Sequence, residues 1–240
     1  MKQLIPLKLK KYYWRFLRRQ QKLRKKRIKF KGKSPKEVFT LIYNTNYWSG
    51  HNSISGGGSD LHHTKVVINE VSTLIKEYGF STVLDVPCGD FLWMQYVDMA
   101  RCSYLGGDIV EDLIRSNQET YAALENVRFE VMDLLKHPLP KYELFINRDC
   151  MVHLSYQDIF QALDTIKKSG CRYLLTTTFP DHPINSDIDT GDWRPLNLEK
   201  PPFNFPKPIH IIKEQFQHKA FYDKSLGLWK IDEIVIHCRT

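Results

Sequence analysis

Two apolar runs, each ending in an acid and separated by a single glycine turn, restrict this chain more than any other feature. The first is Thr82-Val83-Leu84-Asp85, followed by the turn Val86-Pro87-Cys88-Gly89-Asp90; the second is Tyr104-Leu105-Gly106-Gly107-Asp108. A strand ending in an acid, a tight turn, and a second acid-tipped strand about twenty residues on describe a nucleoside-binding crevice at the carboxyl edge of a parallel sheet. A pyrophosphate in that crevice requires glycine at several turn positions, so that the backbone can approach it. Here Gly89 stands alone, with Pro87 and Phe91 where the other glycines belong.

The ligand this pattern suits therefore has a ribose and no phosphate. S-adenosylmethionine (SAM) carries a ribose, an adenine and a zwitterionic methionine end, and it tolerates carboxylates such as Asp85 and Asp90 beside the turn, where a pyrophosphate would be repelled.

Alternation continues beyond the two runs. Apolar segments near 82–86, 103–107, 127–131, 143–147 and 172–178 read as strands, and the stretches 61–78, 91–98, 110–123 and 156–168 as helices, with Gly79 ending the first of these. Leu228 to His237 reads as a last strand after a turn at Gly227. This rhythm predicts an α/β fold with a Rossmann-like, doubly wound, mostly parallel sheet and ligands at the strand carboxyl ends. Ser34-Pro35 predicts a helix start ahead of Val38, Phe39, Ile42 and Tyr43.

Four segments in order resemble the class I SAM-dependent methyltransferases, from about Leu61 to the C-terminus: Val83-Leu84-Asp85-Val86-Pro87-Cys88-Gly89-Asp90, Leu105-Gly106-Gly107-Asp108-Ile109, Glu130-Val131-Met132-Asp133-Leu134, and Leu144 through Leu154. The resemblance implies a seven-stranded sheet with an antiparallel pair at one edge, the class I methyltransferase fold, and SAM as cofactor. It implies that Asp85, Pro87 and Gly89 shape the methionine pocket, that Asp108 and Ile109 take the ribose, that Asp133 and Leu134 frame the adenine, and that Arg148 contacts the cofactor.

The segment from Trp48 to Asp60 is polar and rich in glycine. Its backbone at Gly57 can approach a ligand closely, and Ser59 is placed either to cap the next helix or to meet the cofactor's carboxylate, so a cofactor-covering loop is expected here. After the fourth strand the chain reads Asn147-Arg148-Asp149-Cys150, without the Asn-Pro-Pro-Tyr-like sequence that holds a planar amino group in related enzymes. Asp149 and His153 are four residues apart; in a helical turn they share a face, where a carboxylate can orient an imidazole as a general base. The alternative is that His153 caps or packs under Leu154.

Residues 180–208 contain seven prolines together with Trp193, Phe203 and Phe205, which excludes a regular helix. The insert reads both as a lid at the ligand edge and as a packed loop covering the sheet. As a lid, it offers Trp193, Arg194 and Asn197 to a sugar, through a flat apolar face and directed hydrogen bonds. No spacing among Asp181, His182, Asp187, Asp189 and Asp192 specifies a metal, and none is assigned.

Charge divides the chain. Residues 1–33 hold fifteen Lys or Arg and no acid, leaving 20 basic and 27 acidic residues for 34–240, so the basicity belongs to an extension and the remainder forms one domain. Leu9, Tyr13, Phe16, Leu17 and Leu23 are near helical spacing, which permits a basic amphipathic helix on an anionic membrane surface, an RNA grip, or a solvated tail. The chain has no run of about eighteen apolar residues and no signal-peptide core. Its five scattered cysteines read as reduced thiols of a cytoplasmic protein. The expected activity is methyl transfer from SAM to a hydroxyl acceptor, on a small molecule or on a sugar of a surface glycan or lipid-linked saccharide. RNA methylation through the basic tail, or SAM binding without turnover, are the alternatives.

Overall fold

A computed structural model describes residues 30–136, 138–215 and 221–236. Seven strands form one sheet: β1 Thr82–Asp85, β2 Ser103–Asp108, β3 Val127–Val131, β4 Leu144–Asn147, β5 Tyr173–Thr178, β6 His210–Lys213 and β7 Ser225–Lys230. Their order is β3-β2-β1-β4-β5-β7-β6. β1 pairs in parallel with both β2 and β4, whereas β7 runs antiparallel between β5 and β6. The connectivity therefore reverses between β1 and β4, and in such sheets the crevice for a ligand opens at that reversal, above the strand carboxyl ends. Asp85, Asp108 and Asn147 are the last residues of β1, β2 and β4.

The central strands are buried on both faces, and their side chains alternate between two cores. Val83, Tyr104, Leu144 and Leu175 join one core with Val67, Val71, Leu74 and Ile75 of helix α2, Leu61–Tyr78. Leu84, Leu105, Phe145 and Leu174 join the other. It is closed by Ile159, Ala162, Leu163 and Ile166 of a later helix, Tyr156–Lys168. Helix α3, Glu111–Thr120, follows β2, so the helix of 156–168 is α4 in chain order.

Helix α1, Pro35–Thr45, begins where the sequence directs it. Ser34 accepts from the Glu37 N–H while the Glu37 carboxylate accepts from the Ser34 N–H, Pro35 occupies the first turn, and Asn46 closes the helix in a left-handed conformation. Val38 and Ile42 seat the helix against Phe30. Ser34→Ala is expected to lower stability by about 1 kcal/mol, read as a shift in the urea midpoint; no shift would show that the packing of Val38 and Ile42 alone holds the helix.

Three segments depart from the expected pattern. The helix expected over 91–98 is only a 3₁₀ turn, Met94–Tyr96. Phe91 has φ of 57°, outside helical space, and its buried ring meets Tyr104, Tyr121 and Phe129. β7 starts at Ser225, earlier than the expected 228, and Gly227 is inside the strand because a side chain there would meet the Trp229 ring at 2.2 Å. β6, after Pro208, is the seventh strand that the resemblance implies, at a place where no apolar run was read as a strand. The insert of 180–208 is irregular, as its prolines require, and Leu196, Leu198, Phe203 and Phe205 bury it in the α4-side core.

No described helix is long and apolar enough to cross a membrane. Cys88, Cys102, Cys150 and Cys171 are buried and unpaired. The amphipathic pattern of the N-terminal extension lies outside the described residues, apart from 30–33.

Candidate active site

A cleft opens above the carboxyl ends of β1, β2 and β4, and Asp85 and Asp108 share it. Asp108 accepts from the Gly89 N–H at 3.2 Å and the Val110 N–H at 3.0 Å. Its carboxyl is nevertheless pushed up to about 6, because burial outweighs those bonds. Asp85 accepts from the Tyr104 hydroxyl at 2.8 Å, and burial raises it to about 7. Two carboxylic acids held near neutrality in one crevice favour a ligand that brings positive charge and hydroxyl donors.

Gly89 joins the two acids. Its φ is 56°, and a side chain there would come within 2.3 Å of Ser55 Oγ, so the turn admits glycine alone. Asn117 of α3 donates to the Gly89 carbonyl at 2.7 Å. Pro87, Ile109, Asp133 and Leu134 also line the cleft, with Met132 and Leu113 beside them.

The loop between α1 and α2 covers this end, through two carboxylates. Asp60 accepts three backbone N–H groups, from His51, Asn52 and Ser53, at 2.6–3.0 Å. Asp90, on the turn below, accepts from Ser53 Oγ at 3.0 Å and the Ile54 N–H at 2.9 Å. Ile54, Ser55 and Ser59 thereby line that end, while Trp48, earlier in the loop, lines the cleft beside Phe39 and His153. Gly57 does not; it opens the short 3₁₀ turn Gly57–Ser59, and its expected ligand contact is not placed by this geometry.

Arg148 lines the cleft, yet its guanidinium is occupied by protein. It donates to Glu214 at 2.6 Å and to the Gly58 carbonyl at 2.8 Å, and is 3.3 Å from Asp149. Lys224 Nζ bonds Asp149 at 2.6 Å and is 3.2 Å from Glu214. Two cations and two anions thus form a buried quartet that pins the covering loop to the ends of β4 and β6. Arg148 also ties the covering loop through the Gly58 carbonyl, and its expected contact with a cofactor is not placed by this geometry.

The expected Asp149–His153 pair is not made. Asp149 has φ of 54°, and the chain after it tightens into a 3₁₀ turn, Met151–His153, so the two side chains do not stack along a helix. Burial would raise the Asp149 carboxyl, but Lys224 and Arg148 overcome that and hold it below the ordinary carboxylate range. His153 is instead oriented by a backbone carbonyl, that of Asp192, 2.8 Å from Nδ1. A carbonyl only accepts, so Nδ1 carries the hydrogen and Nε2 keeps its lone pair. Burial lowers the imidazole to about 4, leaving it neutral at pH 7. Its ring packs on Trp48 in a tilted contact, centroids 4.5 Å apart, and both residues line the cleft.

The insert does not supply the wall expected of it. Trp193, Arg194 and Asn197 are not among the lining residues. Arg194 is buried and donates to the carbonyls of Met151, Leu154 and Ser186; Asn197 donates to those of Pro180 and His182. Trp193 packs edge-on against Phe179 and Phe221. Arg194 thereby braces the His153 turn, aided by the Gly191 N–H, which donates to the His153 carbonyl at 2.8 Å, while Asn197 ties the insert to itself. Among the described residues no group of three or more His, Cys, Asp or Glu is gathered as a metal centre.

The opposite wall is α1, which sequence reading placed as a helix without giving it a face in the site. Pro35, Phe39, Ile42 and Tyr43 line the cleft at i, i+4, i+7 and i+8, while Val38 is buried on the protein side of the helix. That two-sided spacing was the available signal.

No protein-family model matches the chain, and no curated protein matches it. Solved structures do. The magnesium protoporphyrin IX methyltransferase ChlM from Synechocystis PCC 6803, solved with bound SAM, aligns over 82% of this chain and 97% of its own length, with a TM-score of 0.55 and 15% identity. The N-methyltransferase NodS from Bradyrhizobium japonicum WM9 aligns over 71% of this chain and 97% of its own, at 0.53 and 13%. The PH0226 protein from Pyrococcus horikoshii OT3 aligns over 50% of this chain, at 0.42 and 23%, and the chain spans about half of that protein's length, 55%. The chain has the class I methyltransferase fold.

Proposed function

We propose that the protein is a SAM-dependent O-methyltransferase acting on a hydroxyl acceptor. The observation that carries the proposal is the pairing of two buried acids at the tips of β1 and β2 with a neutral, tautomer-fixed histidine in the same cleft. SAM, when bound, supplies an electrophilic methyl group. The residues present fit it: Asp108 suits the ribose hydroxyls, Asp85 the cationic methionine end, and Ile109, Met132 and Leu134 with Asp133 an adenine. The neutral Nε2 of His153 is able to take the proton that the acceptor hydroxyl must lose. ChlM, solved with bound SAM, shares the fold and supports the cofactor assignment.

The sugar acceptor expected from Trp193, Arg194 and Asn197 loses its support, since those side chains are outside the cleft. RNA methylation rested on the basic tail, which is outside the described residues.

Isothermal titration with SAM tests the cofactor; absence of binding overturns the proposal. His153→Ala is then expected to lower kcat by about 10²–10⁴-fold, with SAM affinity unchanged, in transfer of labelled methyl to the acceptor recovered from native extract. Unchanged turnover would leave alignment of the reactants, not proton removal, as the source of rate. Because burial holds the imidazole at about 4, kcat is expected to stay flat from pH 8 down to about 5 and to fall as pH drops through 4. An acidic limb near 6.5 would contradict this environment for His153.

A further inference from the structure

We infer that the acceptor is a flat, apolar ring bearing the hydroxyl, of the phenol or naphthol class, seated against the surface that Phe39 of α1 makes with Trp48 and His153. This rests on the O-methyl transfer proposed above and adds the chemical class of the substrate.

The cleft has two ends of different character. Around Asp108 the lining includes Ile109, Met132 and Leu134, which fit the adenosine. At the other end stand Phe39, Tyr43 and Trp48, with Leu135 and Leu154 near His153. Phe39 and Trp48 are in ring contact at 6.2 Å, and Trp48 meets His153 at 4.5 Å, so three rings make one continuous surface. Seating of Val38 and Ile42 in the protein fixes the α1 face, and the Lys36–Glu111 ion pair joins that helix to the start of α3. Such a wall offers ring-on-ring contact along with area burial.

Polar groups at this end are few or occupied. Arg194 is bonded to the carbonyls of Met151 and Leu154, and Asn197 to those of Pro180 and His182, and neither lines the cleft. Arg148 and Asp149 are paired with Glu214, Lys224 and each other. A sugar brings several hydroxyls, and each one desolvated without a partner costs about 1–3 kcal/mol. A ring with a single hydroxyl needs a single partner, and His153 Nε2 supplies it. Transfer then balances: the acceptor oxygen bonds the methyl carbon, the carbon–sulfur bond breaks with its electron pair passing to sulfur, and the hydroxyl proton goes to Nε2.

The test uses the full chain saturated with SAM, with 2-naphthol and methyl α-glucoside as probes, followed by NMR saturation transfer and by labelled methyl transfer. 2-Naphthol is expected to bind and the glucoside not to, and Trp48→Leu and Phe39→Ala are each expected to weaken naphthol binding about tenfold or more while SAM affinity, measured on the same samples, is kept. Two variants are used because Trp48 also packs on Gly56; retained SAM affinity shows that either one is folded. Tighter binding of the glucoside, or naphthol binding that neither variant weakens, overturns the inference. Loss of SAM binding by the unaltered protein would instead sink the O-methyltransferase proposal beneath it.

Discussion

Asp108→Asn is expected to weaken SAM binding by about 10- to 150-fold, the equivalent of the roughly 1.5–3 kcal/mol carried by hydrogen bonds to a charged group. Asp108 already accepts from the Gly89 and Val110 N–H groups, so its remaining acceptor capacity is what a ribose would use. Asparagine has one acceptor oxygen in place of two and cannot satisfy both the turn and the ligand. The same carboxyl sets a pH dependence. Burial raises Asp108 to about 6 and Asp85 to about 7, so a ligand that needs them charged should bind progressively more weakly as pH falls from 8 to 5. Both values exceed those of the unfolded chain. The stability these groups contribute is therefore present below about 4 and lost as pH rises through 6 and 7. SAM should accordingly raise Tm more at pH 8 than at pH 5. Calorimetric affinities across that range check the prediction, and an affinity for Asp108→Asn equal to that of the unaltered protein would remove Asp108 from the ribose site.

The parts of the site legible in the sequence were those in which one residue type is demanded locally. Asp85, Gly89 and Asp108 are fixed by strand ends and a left-handed turn, and spacing alone placed them in one crevice. Ser34-Pro35 specified the start of α1 for the same reason. Side-chain partners between distant segments were not legible. Asp149 and His153 have helical spacing, but Lys224, 75 residues away, takes the carboxylate, and the carbonyl of Asp192 takes the imidazole. Trp193, Arg194 and Asn197 have the composition of a sugar site, whereas their bonding is that of a brace, because the buried carbonyls of an irregular loop must find donors somewhere. Gly227 looked like a turn residue and proved to be the space under Trp229, a contact no local rule anticipates.

The largest expected effect on stability is at Glu214, whose side chain is fully buried between Arg148 and Lys224. Removing one member of a buried ion pair leaves an uncompensated charge in a poor solvent and costs about 3–5 kcal/mol, which is comparable to the whole stability of a modest domain. Glu214→Leu leaves Arg148 and Lys224 facing Asp149 alone, with net positive charge in the interior. The urea midpoint should fall accordingly, with the slope unchanged. Arg148→Met should be similarly costly, since it leaves Glu214 without its main partner and the Gly58 carbonyl without a donor. The double substitution should cost less than the sum of the two singles, because the charges that each single variant strands are removed together. The functional readout differs between them. Only variants lacking Arg148 release Gly58 and with it the covering loop that carries Ser59, so Arg148→Met and the double variant should both weaken SAM binding, even at temperatures where each is fully folded. If instead the double variant costs the full sum, the four side chains act as independent surface-like pairs and the quartet does not hold the covering loop in place.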